Sequence, residues 1–209
     1  MKLYDYELSG NCYKVRFLLH QLGVEHEKVA VNFFPGREHK EAWFLEQVNP
    51  NGQIPVIDDG GYLLRDAQAI LVYLASRFDA ARRWYPEDPQ TRGQIHLWLA
   101  TADDITRTAS AARLHDALGY DVDIEACRQG AKAVFRTLDD HLAERQATGK
   151  TWLAADHPTI ADVACFPYAA LAPEGGIALD EFPAIRRWIW DFRHQPNFVG
   201  MSGIFAPDL

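Results

Sequence analysis

The hydrophobic pattern of this 209-residue chain changes character once, near residue 79. Before that point, short apolar runs alternate with amphipathic stretches, which predicts strands at residues 2–6, 26–31, 54–57 and 62–65, with helices between and after them. Beyond it, only helical periodicity is present, and helices are predicted at residues 90–118, 123–146, 160–171 and 183–194. The chain is therefore expected to fold as one α/β domain followed by one all-helical domain.

The first of these domains has the order β-α-β-α-β-β-α. This order places a mixed sheet between helices, which is the arrangement of a thioredoxin-like domain. We expect it to span residues 1–78. Residues 79–89 contain Trp-Tyr-Pro-Glu-Asp-Pro and are predicted to form a linker, and residues 90–209 are predicted to form an all-α bundle.

Composition excludes several classes of function. The 29 acidic and 21 basic residues give a formal net charge of -8, which disfavours nucleic acid and anionic membrane as partners. The three cysteines lack C-x-x-C spacing, and the eight histidines lack the spacing of metal ligands, so neither a disulfide framework nor a metal site is expected. The charged start of the chain does not match a signal peptide, and no apolar run approaches the ~20 residues that cross a bilayer. We expect a cytoplasmic protein.

The first strand-to-helix turn carries small polar residues, Ser9-Gly10-Asn11-Cys12. The first turn of a helix has free N–H groups and a partial positive charge, so an alkoxide or thiolate is stabilised there. Ser9 as a simple N-cap is one interpretation, and Ser9 or Asn11 as a donor to an anion is the other. Ser9-x-x-Cys12 also has the spacing of a redox C-x-x-C whose first member is serine, although a partly buried helix residue without a role in turnover is the simpler interpretation of Cys12.

Three further motifs accompany this turn. They are Asn49-Pro50-Asn51-Gly52-Gln53-Ile54-Pro55-Val56, Arg65-Asp66-Ala67-Gln68-Ala69-Ile70-Leu71 and Pro158-Thr159-Ile160-Ala161-Asp162-Val163-Ala164. With these four motifs in order, the chain resembles a bacterial glutathione transferase of the serine type, similar to the theta and nu classes, over essentially its whole length. The resemblance implies that the first domain binds glutathione as a cosubstrate without a metal. It also implies that the helical domain supplies most of the pocket for a small hydrophobic electrophile, and that the protein is a homodimer.

The resemblance also assigns roles to individual residues. Ser9 falls where the family keeps the hydroxyl that bonds the glutathione thiolate, and Asn11 is the rival donor. The positions implied to bind the rest of glutathione are His39 or Lys40 for the glycyl carboxylate, Gln53, Ile54 and a cis Pro55 for the cysteinyl backbone, and Asp66 and Ala67 for the γ-glutamyl group. A proline within a strand pattern belongs at a sheet edge or a bulge, and an edge can accept a short peptide by strand addition.

One position departs from the family pattern. The family usually has serine where this chain has Ala67, and the loss of one hydrogen bond to a charged group weakens binding by about one to two decades. The isomerase branch carries a Ser-Ser-Cys signature, whereas this chain has Ser9-Gly10-Asn11. A glutathione-dependent thiol/disulfide oxidoreductase and a non-catalytic binding protein of the same fold are the alternatives to a transferase.

Candidates in the helical domain are less specific. Arg107, Ser110 and Arg113 have i, i+3, i+6 spacing and could line an electrophile cleft, or could form salt bridges on an acidic surface. Adjacent acids such as Asp103-Asp104 point in different directions on a helix and cannot converge on one ion, although the resemblance allows one of them to reach the glutathione amine across a dimer. Thr159 and Asp162 have the spacing of a capping box and are expected to be structural.

Overall fold

A computed structural model describes residues 1–207. It contains two compact units, which divide between Ala81 and Arg82, inside the segment 79–89 that the sequence analysis assigns to a linker. Each unit is described by itself below. No helix within residues 1–207 has both the length and the apolarity needed to cross a membrane.

The first unit has four strands and three helices in the predicted order. These are β1 (Lys2–Asp5), α1 (Gly10–Gln21), β2 (Glu27–Ala30), α2 (Ala42–Gln47), β3 (Val56–Asp59), β4 (Tyr62–Arg65) and α3 (Ala67–Phe78), with a 3₁₀ turn at Glu38–Lys40. The sheet order is β2-β1-β3-β4, with β1 and β2 parallel and the other neighbours antiparallel. The thioredoxin-like arrangement is confirmed.

Helices cover both faces of this sheet because side chains alternate along each strand. On one face, Phe44 of α2 packs with Val56, and Tyr4 contacts it edge-on. Leu3 and Ile57 point to the opposite face and are fully buried, and α1 and α3 contact each other. Helix α1 is enclosed for most of its length, including two basic side chains, Lys14 and Arg16.

The β3–β4 hairpin closes through a two-residue loop, Gly60-Gly61. Their φ angles are 65° and 94°, and tight hairpin loops require such positive values, which glycine adopts without steric cost. Strand β3 begins at Val56, two residues later than predicted, because Pro55 lacks the N–H that a strand residue donates to its neighbour.

The second unit is helical. Its helices are α4 (Pro89–Ile105), α5 (Ala111–Leu118), α6 (Ile124–Ala147), α7 (Ile160–Ala170) and α8 (Pro183–Arg193), with a 3₁₀ turn at Ala172–Gly175. Helix α7 is buried along most of its length and packs against α4, so it forms the centre of this core. The predicted helices are confirmed to within two residues at each end, except that residues 90–118 are not one regular helix.

A π-helical turn at Thr106–Ser110 joins α4 to α5. The Thr106 hydroxyl donates to the Ala102 carbonyl at 2.8 Å, and the Thr108 hydroxyl donates to the Asp104 carbonyl at 2.6 Å, so side chains help to satisfy the widened turn. Helix α6 approaches closely here, since a Cβ on Gly130 would lie 2.8 Å from Thr108 Cγ2. The π turn rotates the helical faces before and after it relative to each other. A sequence pattern with a period of 3.6 does not predict this rotation.

Asp162 organises the start of α7. The predicted capping box with Thr159 is present, and the Asp162 carboxylate accepts further hydrogen bonds from the Leu153 N–H at 3.0 Å and the Trp188 Nε1–H at 3.0 Å. Burial raises the pKa of the Asp162 carboxyl, while the hydrogen bonds from Leu153, Thr159 and Trp188 favour the ionised form and lower it. Asp162 therefore does more than cap a helix, because it joins α7, α8 and the preceding loop.

We predict that Asp162→Ala destabilises the protein more than Thr159→Ala does. A lost cap costs about 0.5–2 kcal/mol. Removal of the Asp162 carboxylate leaves several buried donors unsatisfied, at about 1–3 kcal/mol each. Urea unfolding followed by circular dichroism measures both values, and Asp156→Ala, at an exposed carboxylate paired with Lys150, is the control. Equal losses for Asp162→Ala and Asp156→Ala would contradict this account.

Candidate active site

The turn between β1 and α1 presents Ser9 as the N-cap of α1. The Ser9 N–H donates to the Tyr6 carbonyl at 2.9 Å, and Ser9 Oγ accepts from the Cys12 N–H at 3.2 Å. A hydroxyl has one proton and two lone pairs, and the cap uses only a lone pair. The half-buried Ser9 hydroxyl can therefore cap the helix and donate its proton to an anion, so the two interpretations of Ser9 are compatible.

The first turn of α1 favours a negative charge beside Ser9. It consists of the uncharged residues Gly10, Asn11 and Cys12, whose N–H groups begin the helix. Asn11 is half-buried in this turn, two residues after Ser9. A thiolate at this end of the helix would meet backbone N–H groups and a hydroxyl donor.

Cys12 is more deeply buried than predicted, with no exposed surface. Burial, together with the carboxylate of Asp5, raises the pKa of the Cys12 thiol to about 12, so this thiol stays protonated at neutral pH. The expectation of a partly buried residue was wrong because α1 is covered even in its first turn. The burial and protonation of Cys12 argue against its use as a redox nucleophile.

The segment before β3 lies beyond the paired part of the sheet. The Ile54–Pro55 peptide bond is cis, as the resemblance implied, and the Gln53 carbonyl accepts from Asn49 Nδ2 at 2.9 Å. The expectation of an edge strand was wrong, because β3 is an interior strand between β1 and β4. The Ile54 peptide group instead lies just past the end of both ladders, which stop at Val56.

Asp66 and Ala67 form the start of α3. Asp66 is the N-cap, its Oδ1 accepts from the Ala69 N–H at 2.9 Å, and its φ of 77° lies in a region that few residues other than glycine adopt. Ala67 is 4% exposed and contributes a backbone N–H at the first position of the helix, without a hydroxyl.

The structure distinguishes His39 from Lys40. His39 is buried, its ring stacks on Phe33 at 4.1 Å between centroids, and burial together with the charges of Lys40 and Arg37 lowers its pKa to about 4. His39 is therefore neutral at physiological pH. Lys40 is exposed, and its ammonium donates to the Gly52 carbonyl at 2.8 Å, which places a positive charge beside the loop that leads to Gln53.

The strand register brings these segments to one end of the sheet. Tyr4 pairs with Val56, and Val56 pairs with Arg65, so three neighbouring strands are level at these positions. Residues 6–9 follow β1, residues 53–55 precede β3 and residues 66–67 follow β4, all at this same end. Because neighbouring strands are about 4.8 Å apart, the N-termini of α1 and α3 and the Ile54 peptide group form one small polar surface.

The candidates in the helical unit do not form a shared surface. Arg107 is exposed and pairs with Asp104, whereas Ser110 is buried and Arg113 Nε lies 2.5 Å from Glu174 Oε2. The two arginines form salt bridges, which was one of the two predicted alternatives, and the π turn within the i, i+3, i+6 spacing changes the helical phase between them. Within residues 1–207, no group of three or more potential ligands of the His, Cys, Asp or Glu type could hold a metal ion.

Comparison with known proteins decides the family. Two family models match: "Glutathione S-transferase, N-terminal domain" over residues 3–82 and "Glutathione S-transferase, C-terminal domain" over residues 109–196. A maleylacetoacetate isomerase from Pseudomonas aeruginosa is 31% identical over 198 residues, which cover 90% of this chain and 88% of that protein. The chain belongs to the glutathione S-transferase family.

Solved structures agree with this assignment. A possible glutathione S-transferase from Rhodopseudomonas palustris is 28% identical, with a TM-score of 0.85, and the match covers 96% of this chain and 89% of that one. A glutathione S-transferase from Pseudomonas fluorescens is also 28% identical, with a TM-score of 0.84 and coverage of 96% and 98%. The family and its two-domain fold are confirmed, and the serine-type, theta-like or nu-like class stays a prediction.

Sequence reasoning missed a buried ion pair beneath the β1–α1 turn. Arg16 of α1 contacts Asp5 at the end of β1, and both side chains are almost fully buried. A signal was available, because Arg16 interrupts the apolar run Val15–Leu19 on a helix that is otherwise enclosed. A basic residue in such a run requires a buried partner.

Proposed function

We propose that this protein is a glutathione transferase that stabilises the thiolate of glutathione at the start of α1 and directs it at a small hydrophobic electrophile. The observation that carries the proposal is the strand register, since it supports a single site made of Ser9, the Ile54 peptide group and the N-terminus of α3. Membership of the family supports glutathione as the cosubstrate.

Each part of glutathione has a chemically suitable neighbour in this proposal. The cysteinyl backbone pairs with the Ile54 peptide group, which precedes the first residue of β3, in the manner of strand addition. The γ-glutamyl carboxylate meets the N-terminus of α3, and its amine meets the Asp66 carboxylate. Lys40 is our choice for the glycyl carboxylate because its exposed ammonium lies beside the loop that leads to Gln53, and neutral His39 then serves mainly to support the loop.

The chemistry begins with the loss of a proton from the glutathione thiol to solvent. A free thiol has a pKa of about 8.5, so a hydroxyl donor and a helix N-terminus that favour the thiolate increase the nucleophile's population at pH 7. The sulfur lone pair then forms a bond to the electrophilic carbon, and in a displacement the leaving group departs with its electron pair. Ser9 keeps its own proton throughout and acts as a hydrogen-bond donor.

The remaining features of the proposal are inferred from membership of the glutathione S-transferase family. We propose a cytoplasmic homodimer that uses no metal, with a role in detoxification. In the helical unit, Arg107 is the remaining candidate for a contact with the electrophile, since its side chain is 69% exposed, whereas Ser110 is buried and the Arg113 side chain is only 12% exposed.

Isomerisation is a second candidate, favoured by the 31% identity to a maleylacetoacetate isomerase. Ser9-Gly10-Asn11 differs from the Ser-Ser-Cys signature of that branch, so conjugation is our first choice. The thiol/disulfide oxidoreductase alternative would have to rely on glutathione sulfur alone, because Cys12 is buried and protonated. An oxidoreductase of this kind would still turn over a glutathionylated substrate after the Ser9→Ala substitution.

Ser9→Ala tests the proposed role of the hydroxyl. The thiol pKa of bound glutathione, measured by ultraviolet titration of the thiolate, is expected to rise by about 1–2 units, since a hydrogen bond to a charged group contributes about 1.5–3 kcal/mol. Asp123→Ala, which removes the N-cap of α6, controls for the loss of a cap. An unchanged thiol pKa in Ser9→Ala, with a raised value in Asn11→Ala, would transfer the role to Asn11.

Ala67→Ser tests how glutathione docks at α3. We expect the dissociation constant for glutathione, measured by calorimetry, to fall by about 10- to 100-fold, because the new hydroxyl adds a hydrogen bond to the γ-glutamyl carboxylate. Ala69→Ser, at an exposed position two residues along the same helix, is the control. Equal affinities for the two variants would contradict this docking, and no retention of either on immobilised glutathione would favour the non-catalytic alternative.

A further inference from the structure

We propose that Arg16 is a positioning residue, which holds the β1–α1 turn in the geometry that presents the Ser9 hydroxyl. This inference rests on the function proposed for Ser9. Arg16 lies seven residues after Ser9, about two turns along α1, and reaches back beneath the turn toward the end of β1.

The guanidinium of Arg16 contacts three consecutive residues of the chain. Nη1 pairs with the Asp5 carboxylate and lies 3.4 Å from the Tyr6 carbonyl, and Nη2 donates to the Glu7 carbonyl at 2.9 Å. The Tyr6 carbonyl also accepts from the Ser9 N–H at 2.9 Å. One planar group thus fixes the backbone on which the N-cap geometry of Ser9 depends.

Burial makes these contacts strong constraints. The side chains of Arg16 and Asp5 are 9% and 5% exposed, so neither charge is fully hydrated if the pair is broken. The carbonyls of residues 6 and 7 belong to a turn between elements, where the sheet ladder no longer supplies partners. Arg16 supplies donors to both.

The effect of Arg16 on the site is positional rather than electrostatic. The Asp5 carboxylate neutralises the guanidinium at close range, so the pair presents little net charge to a thiolate above it. Lysine cannot reproduce the planar fork of the guanidinium, because a single ammonium cannot bond to the Asp5 carboxylate and to two successive carbonyls with the same geometry. A displacement of about 1 Å in a catalytic group can cost 100-fold in rate.

Arg16→Lys tests the inference because it keeps the charge and the partner Asp5. We expect kcat/KM with a chlorinated aromatic electrophile to fall by roughly 10- to 100-fold. We also expect the thiol pKa of bound glutathione to rise by about one unit, as the Ser9 hydroxyl moves out of line. Arg77→Lys, at an exposed arginine that pairs with Asp59 in the same unit, controls for the exchange itself and is expected to leave both values unchanged.

A double-mutant cycle separates positioning from a merely structural role. If Arg16 acts through Ser9, Arg16→Lys should produce almost no additional shift of the thiol pKa in a Ser9→Ala background. A lower melting temperature for Arg16→Lys with an unchanged thiol pKa would overturn the inference. So would an equal pKa shift in the presence and absence of the Ser9 hydroxyl.

Failure of the inference is distinguishable from failure of the proposed function. If Ser9→Ala raises the thiol pKa and Arg16→Lys does not, only the role of Arg16 is lost. If Ser9→Ala itself has no effect, the function assigned to the turn fails, and the role of Arg16 fails with it. Should Arg16→Lys prove insoluble, Arg16→Gln keeps a planar amide that can donate to one carbonyl, and the same two outcomes apply to it.

Discussion

The pairing of Tyr4 with Val56 and of Val56 with Arg65 is the constraint on which the candidate site depends. A slip of one residue in either ladder would turn Val56 away from Phe44 and Tyr4, and the core on that face would lose its contacts. The packing of the sheet therefore fixes the register. The register in turn places the N-termini of α1 and α3 at the same end of the sheet, on either side of the Ile54 peptide group. Two helix N-termini and one peptide group beyond the ladders suit a tripeptide that carries carboxylates, a peptide backbone and a reactive thiol.

Each unit uses a buried aspartate to fix a stretch of irregular backbone. In the first, Asp5 holds Arg16, whose guanidinium bonds to the carbonyls of Tyr6 and Glu7. In the second, Asp162 accepts from the N–H groups of Leu153 and Thr159 and from the indole of Trp188. Buried carboxylates are costly unless they are fully hydrogen-bonded, so such residues specify one loop geometry strongly. In the first unit, that geometry presents Ser9.

Much of the fold followed from the sequence because its local signals agree with the tertiary structure. Gly60-Gly61 predicted a tight hairpin, Thr159 and Asp162 predicted a helix start, and the change of pattern near residue 79 lies close to the boundary between Ala81 and Arg82.

The interior position of β3 could not be predicted from the sequence, because sheet order depends on contacts between distant segments. The π turn at Thr106–Ser110 was not predictable either, since π turns leave no period-3.6 signal, and for that reason the spacing of Arg107, Ser110 and Arg113 does not define one helical face. At the site, the sequence located the segments but not the burial of Cys12 and His39, which depends on how α1 and the loop around Phe33 are covered.

The most direct measurement of the central claim is a crystal structure of the protein with glutathione bound. The account predicts the glutathione sulfur within hydrogen-bond distance of Ser9 Oγ, the cysteinyl backbone paired with the Ile54 peptide group and the γ-glutamyl carboxylate at the N-terminus of α3. A sulfur atom that lies away from the β1–α1 turn, or a tripeptide bound elsewhere on the protein, would contradict it.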